Sequence, residues 1–292
     1  MPSLTAGLID VFADTPLSGN PLAVVEGADA LPDDTLRSIA REFNQAETTF
    51  LLRSTRADAK LRSFTASGVE IFGAGHNALG AWLWLAERGA LGPLEAPKTF
   101  QQELGAEVLP ITLEARAGRI HGRMKQSPLR QSPPLGNVGP LAEALALSVA
   151  DVLTHPAPRV ANTGAGHLLV RVRDAGTVDR ARPASDKLLA VLASAGAEGC
   201  YVYAFDPAAP GTAYARFFNP TVGLWEDAAT GTAAGPLCAS LGAEGLLAAD
   251  STLVVEQGVH LGRRSLLHVR LTPEPEISGF GVVVMRGWLT VG

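Results

Sequence analysis

The chain carries one module twice. Residues 62–85, RSFTASGVEIFGAGHNALGAWLWL, and residues 216–241, RFFNPTVGLWEDAATGTAAGPLCASL, share an order of parts: an arginine, an aromatic strand end, a polar loop with glycine and glutamate, and a small-residue turn that opens a helix. With gaps allowed early in the loop, Glu70 pairs with Glu226 and Gly75 with Gly231 at one common spacing, about half the chain. A module repeated at that distance calls for two similar halves. Glycine and threonine also cap helices of every kind, so a single copy would say little; two in register carry the signal. A helix that opens in small residues leaves N–H groups unpaired at the positive end of its dipole, and such ends bind anions, a substrate carboxylate among them. A cleft between pseudo-symmetric halves is expected to bring the two helix starts together.

With 292 residues the chain has room for two domains of ordinary size. A hydrophobic fraction of 47% against 18% charged describes a folded protein, and a net charge of −5 without runs of like charge argues against a nucleic-acid or anionic-membrane surface. The expected partner is a small molecule or a second copy. Cys200 and Cys238 each lie in an apolar stretch, so neither a disulfide framework nor a cysteine metal site is expected. The start, MPSLTAGLIDVFADTP, lacks the basic opening and long apolar core of a signal peptide, and no stretch approaches the roughly 20 apolar residues that span a bilayer. These features predict a cytoplasmic protein.

In the first half, residues 8–12, 22–25, 48–52, 60–64, 108–115 and 119–124 have the alternation or β-branched bias of strands, and residues 33–43 place Leu36, Ile39, Ala40 and Phe43 on one helical face. Residues 75–88 differ. They are apolar almost all round, as in a helix enclosed by its domain. The stretch MKQSPLRQSPPLGNVGP is rich in proline, glycine and serine and marks the expected domain boundary. The second half repeats the theme, with strands at 167–172, 201–205, 214–218, 252–256, 265–271 and 282–285, an amphipathic helix at 185–195 and a second enclosed helix at 231–247. The expected fold is therefore α+β: domain 1–125, completed by the last strand at about 280–292, and domain 126–279, each with strands around a central helix. No dinucleotide-binding or P-loop glycine pattern occurs.

Glu47, in NQAETTF, opens a strand with apolar residues after it, and desolvation at such an edge pushes a carboxyl towards its neutral, proton-carrying form. A solvated strand-end glutamate is the plain alternative. His76 lies in the first turn of the enclosed helix, where the dipole disfavours the imidazolium, so a neutral ring could polarise a substrate group. It could equally be a capping or core histidine. Asp227 precedes the second enclosed helix, where carboxylates often only cap; with Thr232 mirroring His76 it becomes the second wall of the expected cleft. No metal-ligand spacing surrounds these residues.

The stretches DVFADTPLSGNPLAVV, NQAETTFLL, GAGHNALGA, NTGAGHLLV, EDAATGTAAGPL and VEQGVHLGRRS resemble, in order, the motifs of the phenazine-biosynthesis PhzF-like family, which shares its fold with diaminopimelate epimerase. The combination GNPLAVV, ETTF, GH and ED-x-ATG is specific to it. The resemblance implies two barrel-like domains, each wrapped around a central helix, and commonly a homodimer. It implies isomerisation of a dihydro-3-hydroxyanthranilate by proton movement, with no metal, flavin or pyridoxal phosphate. The family's acid/base glutamate falls on Glu47, its histidine on His76 and its aspartate on Asp227. Substrate contacts fall on Thr230 and Gly231 of the ATG motif, on Thr232 after it, and on Gly75, Asn77 and Gly164. Ala74, Asn77, Ala78 and Ala228 depart from the family pattern, which bears on the substrate more than on the reaction type.

The leading expectation is a cofactor-independent isomerase in which Glu47 takes a proton from an activated carbon of a carboxylate-bearing substrate and returns it elsewhere. A cofactor-independent amino-acid racemase or epimerase is the second reading; it needs an acid/base on each face of the substrate, and the two-cysteine version finds no cysteine beside either helix start. A non-catalytic small-molecule-binding protein on the same fold is the third.

Overall fold

The strands read from apolar alternation are present, and less obvious segments add more. The computed structural model describes residues 3–291. It divides into two units: one runs to Lys125 and resumes at Ser278, the other is Gln126–Ile277.

The first unit contains β1 (Ser3–Val11), β2 (Asn20–Glu26), α1 (Asp33–Phe43), β3 (Glu47–Leu52), β4 (Ala59–Thr65), the short β5 (Glu70–Ile71), α2 (His76–Glu87), β6 (Lys98–Leu104), β7 (Glu107–Arg116) and β8 (Arg119–Lys125). Around the unit, β1–β2 is antiparallel, β2–β3 parallel, β3–β4 antiparallel, β4–β6 parallel, and β6–β7 and β7–β8 antiparallel. The C-terminal strand, Glu276–Thr290, pairs with both β8 and β1 and so closes an eight-stranded barrel. Closure gives each of the eight barrel strands a partner on both sides.

Parallel neighbours need a crossover connection, and the two crossovers of this barrel take opposite sides of the wall. The β2-to-β3 crossover is α1, outside, with Leu36, Ile39 and Ala40 packed on Val25, Phe50 and Phe64. The β4-to-β6 crossover is α2, which packs against β1, β2, β3, β4 and β8 with Ala78, Leu79, Ala81, Trp82, Leu83 and Trp84 all buried. Its apolar surface on every side is what the enclosed position requires. The strand β6 lies in KTFQQEL, where polar residues mask the alternation; Gln102 is buried nonetheless, because its Oε1 accepts from Trp82 Nε1 at 3.0 Å.

The second unit contains β9 (Arg130–Gln131), α3 (Gly139–Ala144), β10 (Arg159–Asn162), β11 (Gly166–Val172), α4 (Ala175–Arg180), α5 (Ser185–Ala195), β12 (Gly199–Phe205), β13 (Thr212–Asn219), β14 (Leu224–Asp227), α6 (Gly231–Ala243), β15 (Thr252–Gln257) and β16 (Ser265–Arg270). Here β10–β11 is antiparallel, β11–β12 parallel, β12–β13 and β13–β14 antiparallel, β13–β15 parallel and β15–β16 antiparallel. This repeats, pairing for pairing, the run from β1–β2 to β6–β7. The outer crossover carries α4 and α5, with Val178, Leu188 and Leu192 on Leu168, Val170 and Val202. The inner crossover is α6, buried all round against β10, β11 and β16. It stops at Ala243, short of the expected residue 247, as the chain turns through Gly245 in the left-handed region. Among the described residues no helix is long and apolar enough to cross a membrane.

Candidate active site

In the first unit Glu47 begins β3, in register with Leu22 of β2 and Thr65 of β4. His76 is the first residue of α2, and its Nδ1 lies 4.0 Å from Glu47 Oε2. The imidazole is 7% exposed, and its Nε2 is buried without a hydrogen-bond partner. Burial lowers its pKa from the ordinary 6.5 to about 4, so the ring next to Glu47 is neutral at physiological pH. Asn77 ties down the loop before α2: its Oδ1 accepts from the Gly75 N–H at 2.7 Å, and its Nδ2 donates to Gly73 O at 3.0 Å and Ser63 Oγ at 3.1 Å. Its amide thus shapes the backbone that presents Gly75 and His76.

In the second unit Asp227 ends β14 and is buried. Thr230, the N-cap residue of α6, donates from Oγ1 to Asp227 Oδ2 at 2.6 Å. Gly231 opens the helix, and its carbonyl accepts from Gln126 Nε2 at 2.9 Å. Counted from the caps, Thr230 corresponds to Gly75, one residue off the alignment read from the sequence. Thr232 Oγ1 lies 3.1 Å from Nε2 of His167. Gly164 is exposed at φ +149°, a conformation that favours glycine, and its N–H is held by Asn162 Oδ1.

Three residues beyond those expected join the second group. His167 opens the apolar face of β11 in an edge-on contact with the Phe217 ring, and burial lowers its pKa to about 4. Gln257 and Tyr201 bond each other beside Thr230. Gln257 had a legible signal: in TLVVEQ it follows Leu253 and Val255 on the buried side, a polar residue on an apolar stripe.

The repeated Arg and Glu of the two modules make the same bond twice. Arg62 Nε and Nη2 donate to Glu70 Oε1 (2.7 Å) and Oε2 (2.8 Å); Arg216 Nε and Nη2 donate to Glu226 Oε1 (2.9 Å) and Oε2 (2.8 Å). Each guanidinium also lies over the ring of the aromatic residue two positions on, Phe64 or Phe218. These forks brace β5 and β14, the short strands that lead into the two central helices.

The two buried histidines set an acid limit on stability. Between their ordinary 6.5 and about 4 the unfolded chain takes up protons that the folded one refuses, so stability falls as pH drops through that window. Melting temperature scanned from pH 7.5 to 4 is expected to decline, and His76→Asn and His167→Asn each to flatten the decline. An unchanged slope in both variants would mean that the imidazoles do not titrate as buried groups.

Neither thiol is suited to acid/base work, since Cys200 and Cys238 are fully buried and burial pushes each up to about 12. Among the described residues no group of three or more His, Cys, Asp and Glu side chains could hold a metal ion.

The profile of the phenazine biosynthesis-like protein family, PhzC-PhzF, matches residues 9–287. Trans-2,3-dihydro-3-hydroxyanthranilate isomerase of Pseudomonas fluorescens is 31% identical over 296 residues, covering 97% of this chain and 98% of that protein. The crystal structure of a PhzF-family phenazine biosynthesis protein from Bacillus anthracis superposes with a TM-score of 0.90 at 26% identity, with both chains covered completely. A hydroxyproline epimerase from Agrobacterium vitis, at 15% identity and a TM-score of 0.68 over 99% of this chain and 91% of its own, shares the fold. With the repeated strand order and the enclosed helices, these similarities define a diaminopimelate epimerase-like fold, and the chain belongs to the PhzC-PhzF family as one of its isomerases.

Proposed function

We propose that this isomerase moves a proton on a small, carboxylate-bearing ring substrate of the dihydro-3-hydroxyanthranilate kind, with Glu47 as the general acid/base. The observation that carries the reading is the approach of the Glu47 carboxyl to a buried, neutral imidazole, 4.0 Å from His76 Nδ1. A cation at that distance would stabilise the carboxylate and weaken it as a base; a neutral ring does not, and it can still hydrogen-bond. Glu47 removes a proton from a carbon acidified by the conjugated system and returns it to another carbon of the same system. No electrons leave the substrate.

Asp227, Thr230, Gly231 and Thr232, with Gly75, Asn77 and Gly164, are assigned to holding the substrate. The first N–H groups of α2 and α6 have no acceptor within their own helices, which suits them to a carboxylate. We assign the working form to a cytoplasmic homodimer that acts without a cofactor. The name of the Pseudomonas fluorescens relative supports the substrate class. The purified protein, incubated with trans-2,3-dihydro-3-hydroxyanthranilate in D2O, is expected to incorporate deuterium into the ring as it isomerises, read by NMR and mass spectrometry. Folded protein that neither exchanges nor isomerises this compound would overturn the assignment.

A further inference from the structure

Gln257 is fully buried, and its amide makes four hydrogen bonds. Oε1 accepts from the Tyr201 hydroxyl at 2.9 Å and the Thr230 backbone N–H at 3.2 Å; Nε2 donates to the Asp227 backbone carbonyl at 2.8 Å and to Thr230 Oγ1 at 3.0 Å. Two of these partners have only one polarity. A backbone N–H donates and a backbone carbonyl accepts, so turning the amide over would break both bonds at once. With Oε1 placed by those two bonds, the Tyr201 hydroxyl is left to donate to it, and burial first, and the charge of Asp227 second, hold the phenol well above its ordinary range so that it keeps the proton it donates.

That fixes the direction of the next link. Thr230 Oγ1 accepts from Gln257, and its one hydroxyl proton is directed to Asp227 Oδ2, 2.6 Å away. The series Gln257 to Thr230 to Asp227 therefore ends on a carboxylate oxygen that accepts. Gly258 makes the placement possible: at φ +79° it lets the end of β15 pass so close to Ala228 that a Cβ there would lie 2.6 Å from the Ala228 carbonyl oxygen.

We propose that Gln257 is a positioning residue for the reaction: through Thr230 it fixes the Asp227 side chain with Oδ2 as an acceptor, and Asp227 so held receives an N–H or O–H donor of the substrate. This rests on the assignment of Asp227 to substrate binding, and it narrows the substrate to one with an amine or hydroxyl donor besides its carboxylate. Gln257 touches no reacting atom. Its effect passes through Thr230 to Asp227.

The test combines a stability cycle that needs no substrate with an activity measurement. Gln257→Glu keeps the size of the side chain but removes the Nε2 donor and sets a second negative charge beside Asp227; its loss of melting temperature at pH 7.5 is expected to be relieved in part, by the share due to the two charges, when Asp227→Asn is added. An equal loss with aspartate or asparagine at position 227 would mean that Gln257 is not coupled to the Asp227 side chain, and would overturn the proposal. With trans-2,3-dihydro-3-hydroxyanthranilate as substrate, Thr230→Val is expected to lower kcat/KM by about tenfold to a hundredfold, the factor that one hydrogen bond to a charged group is worth, and Thr230→Ser to restore it. Full activity in Thr230→Val, with Asp227→Ala inactive, would remove the relay and leave Asp227 in the site. Full activity in Asp227→Ala would instead sink the assignment of Asp227 itself, and the relay to the reaction with it.

Discussion

Glu47→Gln is expected to abolish solvent-deuterium incorporation into trans-2,3-dihydro-3-hydroxyanthranilate while the protein remains folded and binds its ligand. The amide has the size of the carboxyl and keeps one acceptor oxygen, so β3 and its register with Leu22 and Thr65 have no reason to change. What it lacks is a proton that can be exchanged with carbon. General acid/base catalysis by one positioned group contributes about 10²–10⁴ in rate, so a loss of at least about 10²-fold in kcat, with KM little altered, is the signature of that role. Exchange that survives in the variant would move the chemistry to another group, with His76 the first to test because of its place beside Glu47. A variant that lost folding together with binding would instead make Glu47 a structural residue.

The largest stability effect is expected at Glu226. Its partner Arg216 is 2% exposed, and besides the two bonds to Glu226 its Nη1 donates to the carbonyls of Val178, Asp179 and Ala181. Glu226→Ala leaves the guanidinium in the interior with carbonyl oxygens and the Phe218 ring but no counter-charge from Glu226. Breaking a buried pair in this way costs about 3–5 kcal/mol, a large share of the roughly 5–15 kcal/mol that holds an ordinary protein folded. The same substitution in the other module, Glu70→Ala, is expected to cost no more than about 1 kcal/mol, because the Arg62 side chain is 20% exposed and keeps its bonds to Asp33. Denaturant titrations followed by probes in each unit would separate the two, since the units need not unfold together. Equal losses from Glu226→Ala and Glu70→Ala would show that desolvation of Arg216 is not the governing effect. Replacing Arg216 and Glu226 together by apolar residues of similar volume is expected to recover much of the loss.

The contrast between these two ion pairs separates what sequence can carry from what it cannot. Arginine, aromatic residue and glutamate stand in the same order in both modules, and the order was enough to read a duplication. Local patterns of this kind persist in any environment: alternation makes strands, an apolar surface all round marks α2 and α6 as enclosed, and the motifs around Glu47, His76 and Asp227 placed the chain in its family. The strands that escaped notice, such as β6 and β10, are polar or four residues long, so their periodicity is too weak to register alone.

Burial and partners were decided by the tertiary structure. Identical forks between arginine and glutamate differ in exposure because Arg216 is covered by the C-terminal end of α4 and Arg62 is not. The neutrality of His76, the bond from Asn77 to Ser63 and the meeting of His167 with Thr232 follow likewise from neighbours distant in sequence. Gln257 shows the limit most clearly. A buried polar residue can be suspected from the stripe of Leu253 and Val255, but the direction of its hydrogen bonds depends on a backbone N–H, a carbonyl and a phenol delivered by two other segments. Hydrogen-bond polarity and desolvation belong to the arrangement of neighbours, and only the folded chain supplies it.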